Sequence, residues 1–199
     1  TEATHNVSAD DVIVCTGSQQ LLFLISDVLL DPGDIVILGA PSYFVYMGIL
    51  ESMGAAVRSV PMDADGMNVE AIEQTLAEIE SDGKLDRVKL IYCVSYFQNP
   101  MGVSLSADRR PRMLDLTRRF SERAGHRIFV LEDAAYKELY FNDPPPPPIK
   151  SFDTTNEWVL FTQTFCKPFS AGMKVGFGVL PREILVPVLR QKGNHDFGS

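Results

Sequence analysis

The chain has 199 residues, 45% of them hydrophobic and 22% charged, with 14 Gly and 13 Pro. That is ordinary globular composition, enough for one sizeable core and marginal for two. Lys plus Arg number 18 against 26 for Asp plus Glu, a net charge of -8. This balance argues against a nucleic-acid or anionic-membrane surface as the main business of the protein. No apolar run reaches the roughly 18 residues of a membrane-spanning helix.

Cys15, Cys93 and Cys166 stand far apart with no C-x-x-C pair, which reads as reduced thiols in a cytoplasmic protein. His5, His126 and His195 are equally scattered, so no metal site is expected. The chain starts on Thr1, and Gly193 to Ser199 read as a loop after a helix. No signal or transit segment is expected, and the whole reads as a piece of a longer protein.

Two apolar patterns then take turns along the chain. Val12 to Val14 is a strand, leading through Thr16-Gly17-Ser18 into a helix from Gln19 to Leu30 that Asp31-Pro32-Gly33-Asp34 closes. Ile35 to Leu38, short, continuous and bounded by turn residues, is a buried strand. Pro41-Ser42 opens a helix from Tyr43 to Met53, stopped by Gly54. Ala56 to Val60 is a strand, and Val69 to Ile79 an amphipathic helix with an acidic wet face.

Val88 to Val94 is the next strand, and Ser106 is expected to cap a basic helix running to about Arg123. Pro111 lies near the start of that helix and predicts either a kink or a later true start. Ile128 to Leu131 is a strand ending in Glu132-Asp133, Trp158 to Phe161 another, and Lys174 to Leu180 a third, before a helix from about Glu183 to Lys192. Such regular alternation predicts an α/β fold: a mainly parallel mixed sheet with helices on both faces, three layers in all. Pro144 to Pro148 is a run of five prolines. It must be extended polyproline, either a stiff surface loop or a docking strip for a proline-binding partner.

In open α/β sheets, ligands sit beyond the carboxyl ends of the strands. Four chemistry-bearing segments lie there: Thr16-Gly17-Ser18-Gln19-Gln20, Gln98-Asn99-Pro100-Met101-Gly102, Asp133-Ala134-Ala135-Tyr136 and Thr164-Phe165-Cys166-Lys167. Singly each has a plain alternative: an N-cap, a turn, a strand-end carboxylate, a surface lysine. Together, in this order and spacing, they resemble the large domain of fold-type I pyridoxal-phosphate enzymes, specifically class I/II aminotransferases. The likeness is greatest to the kynurenine and 2-aminoadipate aminotransferase branch, and it spans nearly the whole chain.

The resemblance implies a cofactor, pyridoxal 5'-phosphate, and a role for each matching residue. Lys167 would form the internal Schiff base and, once displaced, shuttle the proton at the substrate's Cα. Asp133 would pair with the pyridine nitrogen and keep it protonated. Asn99 and Tyr136 would donate to the ring's 3'-oxygen, and Tyr43 would stack on the ring. Backbone N–H groups of Ser18 and Gln19 at a helix start, the hydroxyls of Ser18 and Thr164, and the cation Lys174 would hold the phosphate.

This chain departs from the family where Ser-Phe-Ser-Lys is replaced by Thr164-Phe165-Cys166-Lys167 and Pro-Gly-Leu-Arg by Ala171-Gly172-Met173-Lys174. Lys174 keeps a charge and loses the bidentate fork of arginine, which predicts weaker cofactor retention. The implied activity is transfer of an amino group between an amino acid and a 2-oxo acid by a homodimer. Residues 1–199 would be most of the large domain, inactive alone. The small domain and the arginine for the substrate's α-carboxylate have no counterpart in this sequence. Two alternatives stay open: a β-lyase or cyclase on the same scaffold, and the sensor half of a transcription regulator with a DNA-binding domain upstream.

Overall fold

The computed structural model describes residues 7–196. Among the described residues eight strands form one sheet: β1 (Val12–Cys15), β2 (Ile35–Ala40), β3 (Ala56–Asp63), β4 (Gly66–Met67), β5 (Val88–Val94), β6 (Phe129–Asp133), β7 (Val159–Thr164) and β8 (Gly176–Val179). Their order is β1-β8-β7-β6-β5-β2-β3-β4. The pairs within β3-β2-β5-β6-β7 are parallel, whereas β8 runs antiparallel to β7, β1 to β8 and β4 to β3. The sheet is therefore mixed around a parallel centre, as expected.

Strand parity builds two cores. On one face Leu90, Tyr92, Phe129, Leu131 and Leu160 pack against α1 (Ser18–Leu29), α2 (Phe44–Ser52) and α5 (Arg182–Asp196). On the other, Ile35, Ile37, Val88, Ile91, Val130 and Val159 pack against α3 (Val69–Ser81) and α4 (Arg109–Ala124). Both faces are covered, so the central strands carry apolar residues on both sides.

Four local expectations are corrected. Ser106 does not cap α4; its hydroxyl donates to the Asp108 carboxylate, and the helix starts at Arg109. Pro111 thereby falls in the first turn, where its missing N–H costs nothing. The last strand begins at Gly176, because Lys174 sits at φ 51° in the left-handed region and cannot continue a strand. At the end of the chain, Gly193 to Asp196 continue α5 rather than forming a loop. The rest of that expected loop, Phe197 to Ser199, lies outside the described residues, as do Thr1 and His5. The strand placed at Trp158 to Phe161 runs from Val159 to Thr164, three residues further toward the edge.

The polyproline segment is in neither helix nor strand and is anchored: the Tyr96 hydroxyl donates to the Pro146 carbonyl at 2.9 Å. Just beyond it, the backbone N–H groups of Ile149 and Lys150 donate to the two oxygens of Glu132, both at 2.9 Å. Glu132 also accepts from the Ser95 hydroxyl at 2.8 Å and lies 3.5 Å from the Arg110 guanidinium, with both charged groups fully buried. Arg110 in turn donates to the carbonyls of Ser95 and Leu105. One carboxylate thus ties together the end of β5, the start of α4 and the segment leading to β7. Glu132→Ala would strand the buried guanidinium and two N–H groups. The expected loss is ~3–5 kcal/mol, read from the urea unfolding midpoint.

Candidate active site

Strand direction decides which segments meet. The carboxyl ends of β2, β5, β6 and β7 share one edge. Two antiparallel steps return β1 to the same direction, so its end reaches that edge too, together with the start of β8. There the converging segments enclose a cavity of about 260 Å³. Ser18, Gln19, Tyr43, Asn99, Asp133, Tyr136, Thr164, Lys167 and Lys174 all line it. All nine residues to which the resemblance gives a role are therefore brought together in one wall.

The turn from β1 into α1 is made by Gly17 at φ 75°, a conformation that only glycine adopts without cost. Having no side chain, Gly17 leaves the first N–H groups of α1 uncapped and facing an anion's natural seat. β8 passes directly beneath: a Cβ on Gly176 would stand 2.7 Å from the Ser18 nitrogen and 2.8 Å from the Gly17 carbonyl carbon. Gln20 holds the turn from the other side. Its Oε1 accepts the Thr16 N–H at 2.8 Å, and its Nε2 donates to Asp196 on α5 at 2.9 Å.

Asp133 is 4% exposed. Its Oδ1 accepts the Ala135 N–H at 3.1 Å and its Oδ2 the Tyr92 hydroxyl at 3.0 Å. Burial pushes its pKa up to about 6, against the pull of those two donors and of Lys167. A buried carboxylate in that condition is suited to a cationic N–H partner entering from the cavity.

Lys167 Nζ stands 5.9 Å from the Tyr136 ring centre, and Asn99 Nδ2 donates to the Tyr136 hydroxyl at 3.4 Å. Tyr43 donates to Gln19 Oε1 at 3.1 Å, which fixes its ring at the cavity wall. Thr164 Oγ1 accepts the Cys166 N–H at 3.1 Å and donates to the Val175 carbonyl at 3.3 Å, so it also ties the Lys167 loop to the entry of β8. Cys166, which precedes Lys167, lines the cavity half-buried.

Sequence reasoning gave no role to three residues that set this geometry. Gln98, 3% exposed, donates to the Pro41 carbonyl at 2.9 Å and accepts the Met101 N–H at 2.9 Å, so it joins the Asn99 and Tyr43 loops. Gln20 and Tyr92 are the others. The available signal was polar side chains within otherwise buried runs, because a buried polar atom must find a partner. The wall as a whole offers two amines and a helix N-terminus for an anion, one buried carboxylate for a cation, and hydroxyl and amide donors between them.

Known proteins resemble this chain over most of its length. The family profile for class I and II aminotransferases matches residues 1–194. An aromatic-amino-acid aminotransferase of Thermococcus litoralis is 34% identical over 86% of this chain and 39% of its own length. An uncharacterized HTH-type transcriptional regulator of Bacillus subtilis, YdfD, is 31% identical over 98% of this chain and 37% of its own length. The crystal structure of a Pyrococcus horikoshii kynurenine aminotransferase, in complex with PMP, superposes with a TM-score of 0.86 at 34% identity, covering 97% of this chain and 46% of that one. The chain thus spans roughly two fifths of the curated relatives' length. Fold, matched span and identity agree, and the chain belongs to the class I and II aminotransferase family.

Proposed function

We propose that residues 1–199 are most of the large domain of a pyridoxal-phosphate-dependent aminotransferase, acting on an amino acid and a 2-oxo acid as a cytoplasmic homodimer. The observation that carries this reading is the facing of Lys167 and a buried, proton-affine Asp133 in one cavity whose wall includes an uncapped helix N-terminus. When bound, pyridoxal phosphate would supply the electron sink that protein side chains lack.

The chain's own residues do the rest. The N–H groups of Ser18 and Gln19, the hydroxyl of Ser18, that of Thr164 once it leaves its 3.3 Å bond to the Val175 carbonyl, and Lys174 would hold the phosphate. Asp133 would hold the proton on the ring nitrogen, Asn99 and Tyr136 would donate to the ring oxygen, and Tyr43, held by Gln19, would cover the ring. Lys167 would tether the cofactor and, once released, would be the base that moves the proton at the substrate's Cα. A second reading, a pyridoxal-phosphate sensor in a regulator, is favoured by the match to YdfD over 98% of this chain. Conversion of the bound cofactor to pyridoxamine phosphate on adding an amino acid to the cofactor-loaded full-length protein separates enzyme from sensor.

Three measurements test the residue roles. Borohydride added after pyridoxal phosphate should mark Lys167 alone among the seven lysines, of which Lys150 and Lys192 are already buried. Marking scattered over Lys84, Lys89 and Lys137 in the full-length protein would end this reading. Lys174→Arg restores the planar fork and should lower the dissociation constant for pyridoxal phosphate by about threefold to tenfold; an unchanged constant refutes the role given to Lys174.

The third test uses pH. Because Asp133 is raised from 3.8 to about 6 in the fold, the native state binds the extra proton between those values. Its contribution to stability is therefore present at low pH and falls as pH rises through 6, by about 3 kcal/mol in total. In the cofactor-free protein, Asp133→Asn should gain on the wild type by about that amount between pH 4 and pH 7, read by denaturant unfolding.

A further inference from the structure

We infer that Tyr92 is a positioning residue for Asp133: its hydroxyl grips Oδ2 and keeps the carboxylate an oriented anion, ready for a protonated ring nitrogen. The inference rests on the pyridoxal-phosphate reading above and assigns a role to a side chain outside the cavity wall.

The geometry is specific. Tyr92 is 1% exposed and lies on β5 beside β6, on the same sheet face as Asp133, and its hydroxyl is 3.0 Å from Oδ2. Burial and the neighbouring carboxylate push the phenol well above its ordinary pKa, so it remains a proton donor at any working pH. The Tyr46 ring packs on Tyr92 with centres 4.1 Å apart, yet Tyr46 does not compete for Asp133. Ser26 donates to the Leu22 carbonyl at 2.9 Å, so the 3.0 Å bond between Ser26 and Tyr46 takes its proton from Tyr46.

The other groups around Asp133 cannot substitute for this donor. The charge of Glu132, on the opposite face of the sheet, opposes its ionisation, Tyr43 and Tyr46 are neutral phenols, and Lys167 is the cation that faces it. Thr162, paired with Asp133 in register on β7, has a buried hydroxyl that makes no hydrogen bond among the described residues. Without Tyr92, Asp133 keeps the Ala135 N–H alone, and a carboxylate that has lost a charge-assisted donor in a buried site holds its proton more tightly.

The test compares wild type, Tyr92→Phe and Tyr46→Phe in the full chain labelled with 13C-aspartate. Each is free of cofactor, and the Asp133 carboxyl signal is identified by its loss in Asp133→Asn. Tyr92→Phe should move the Asp133 titration midpoint upward by about one to two pH units. Tyr46→Phe, which removes the same atom from the neighbouring stacked ring, should leave it in place. With pyridoxal phosphate added, Tyr92→Phe should bind about fivefold to tenfold more weakly near pH 6.5 and recover by pH 9. An unmoved midpoint, or a loss of affinity equal at every pH, makes Tyr92 mere packing and overturns the inference. A moved midpoint in a protein whose wild type does not bind pyridoxal phosphate keeps the hold of Tyr92 on Asp133 and defeats the cofactor reading alone.

Discussion

On β6 two carboxylates follow one another, and the two-residue alternation of a strand sends them to opposite faces of the sheet. Glu132 goes to the α3/α4 side, where it gathers Ser95, Arg110 and the N–H groups of Ile149 and Lys150. Asp133 goes to the α1/α2 side and opens on the cavity. The first is fully supplied with donors and cations, and so is structural. The second has two donors and is pushed to about 6, so it retains an appetite for a further cationic partner. Most of the remaining geometry is arranged around this split. The Glu132 network fixes the loops after β5 and before β7, and those loops carry Asn99 and lead to the strand that presents Lys167.

The cavity wall is kept in place by polar side chains that do not themselves face the ligand space. Gln98 joins two loops by one donor and one acceptor, and Gln20 does the same between the β1–α1 turn and α5. Gly176 lets β8 run close under that turn, and any side chain there would push into backbone rather than into a flexible neighbour. Rigidity of this kind is what a site needs to present charges and donors at fixed positions before a ligand arrives. Tyr92 belongs to the same set, acting on the one carboxylate whose ionisation matters at the site.

Much of this was legible in the sequence. The alternation of continuous apolar runs with amphipathic helices named the three-layer class, and all nine candidate residues lay near strand ends and line one cavity. The errors were local and share a cause: propensity and spacing do not report backbone conformation at element ends. Lys174 turns left-handed where the run of apolar residues suggested strand, and α4 starts three residues after Ser106, with Pro111 in its first turn.

Sequence periodicity determines which face of an element is apolar, and the residue types at strand ends determine which chemistry is on offer. It does not determine who lies beside whom. That β1 returns to the parallel direction through two antiparallel steps, that Lys174 therefore enters the site from the start of β8, and that Tyr92 reaches across to Asp133 from the next strand are decided by strand order and register alone. Those follow from long-range pairing, in which residues 41 positions apart meet because the sheet places their strands side by side.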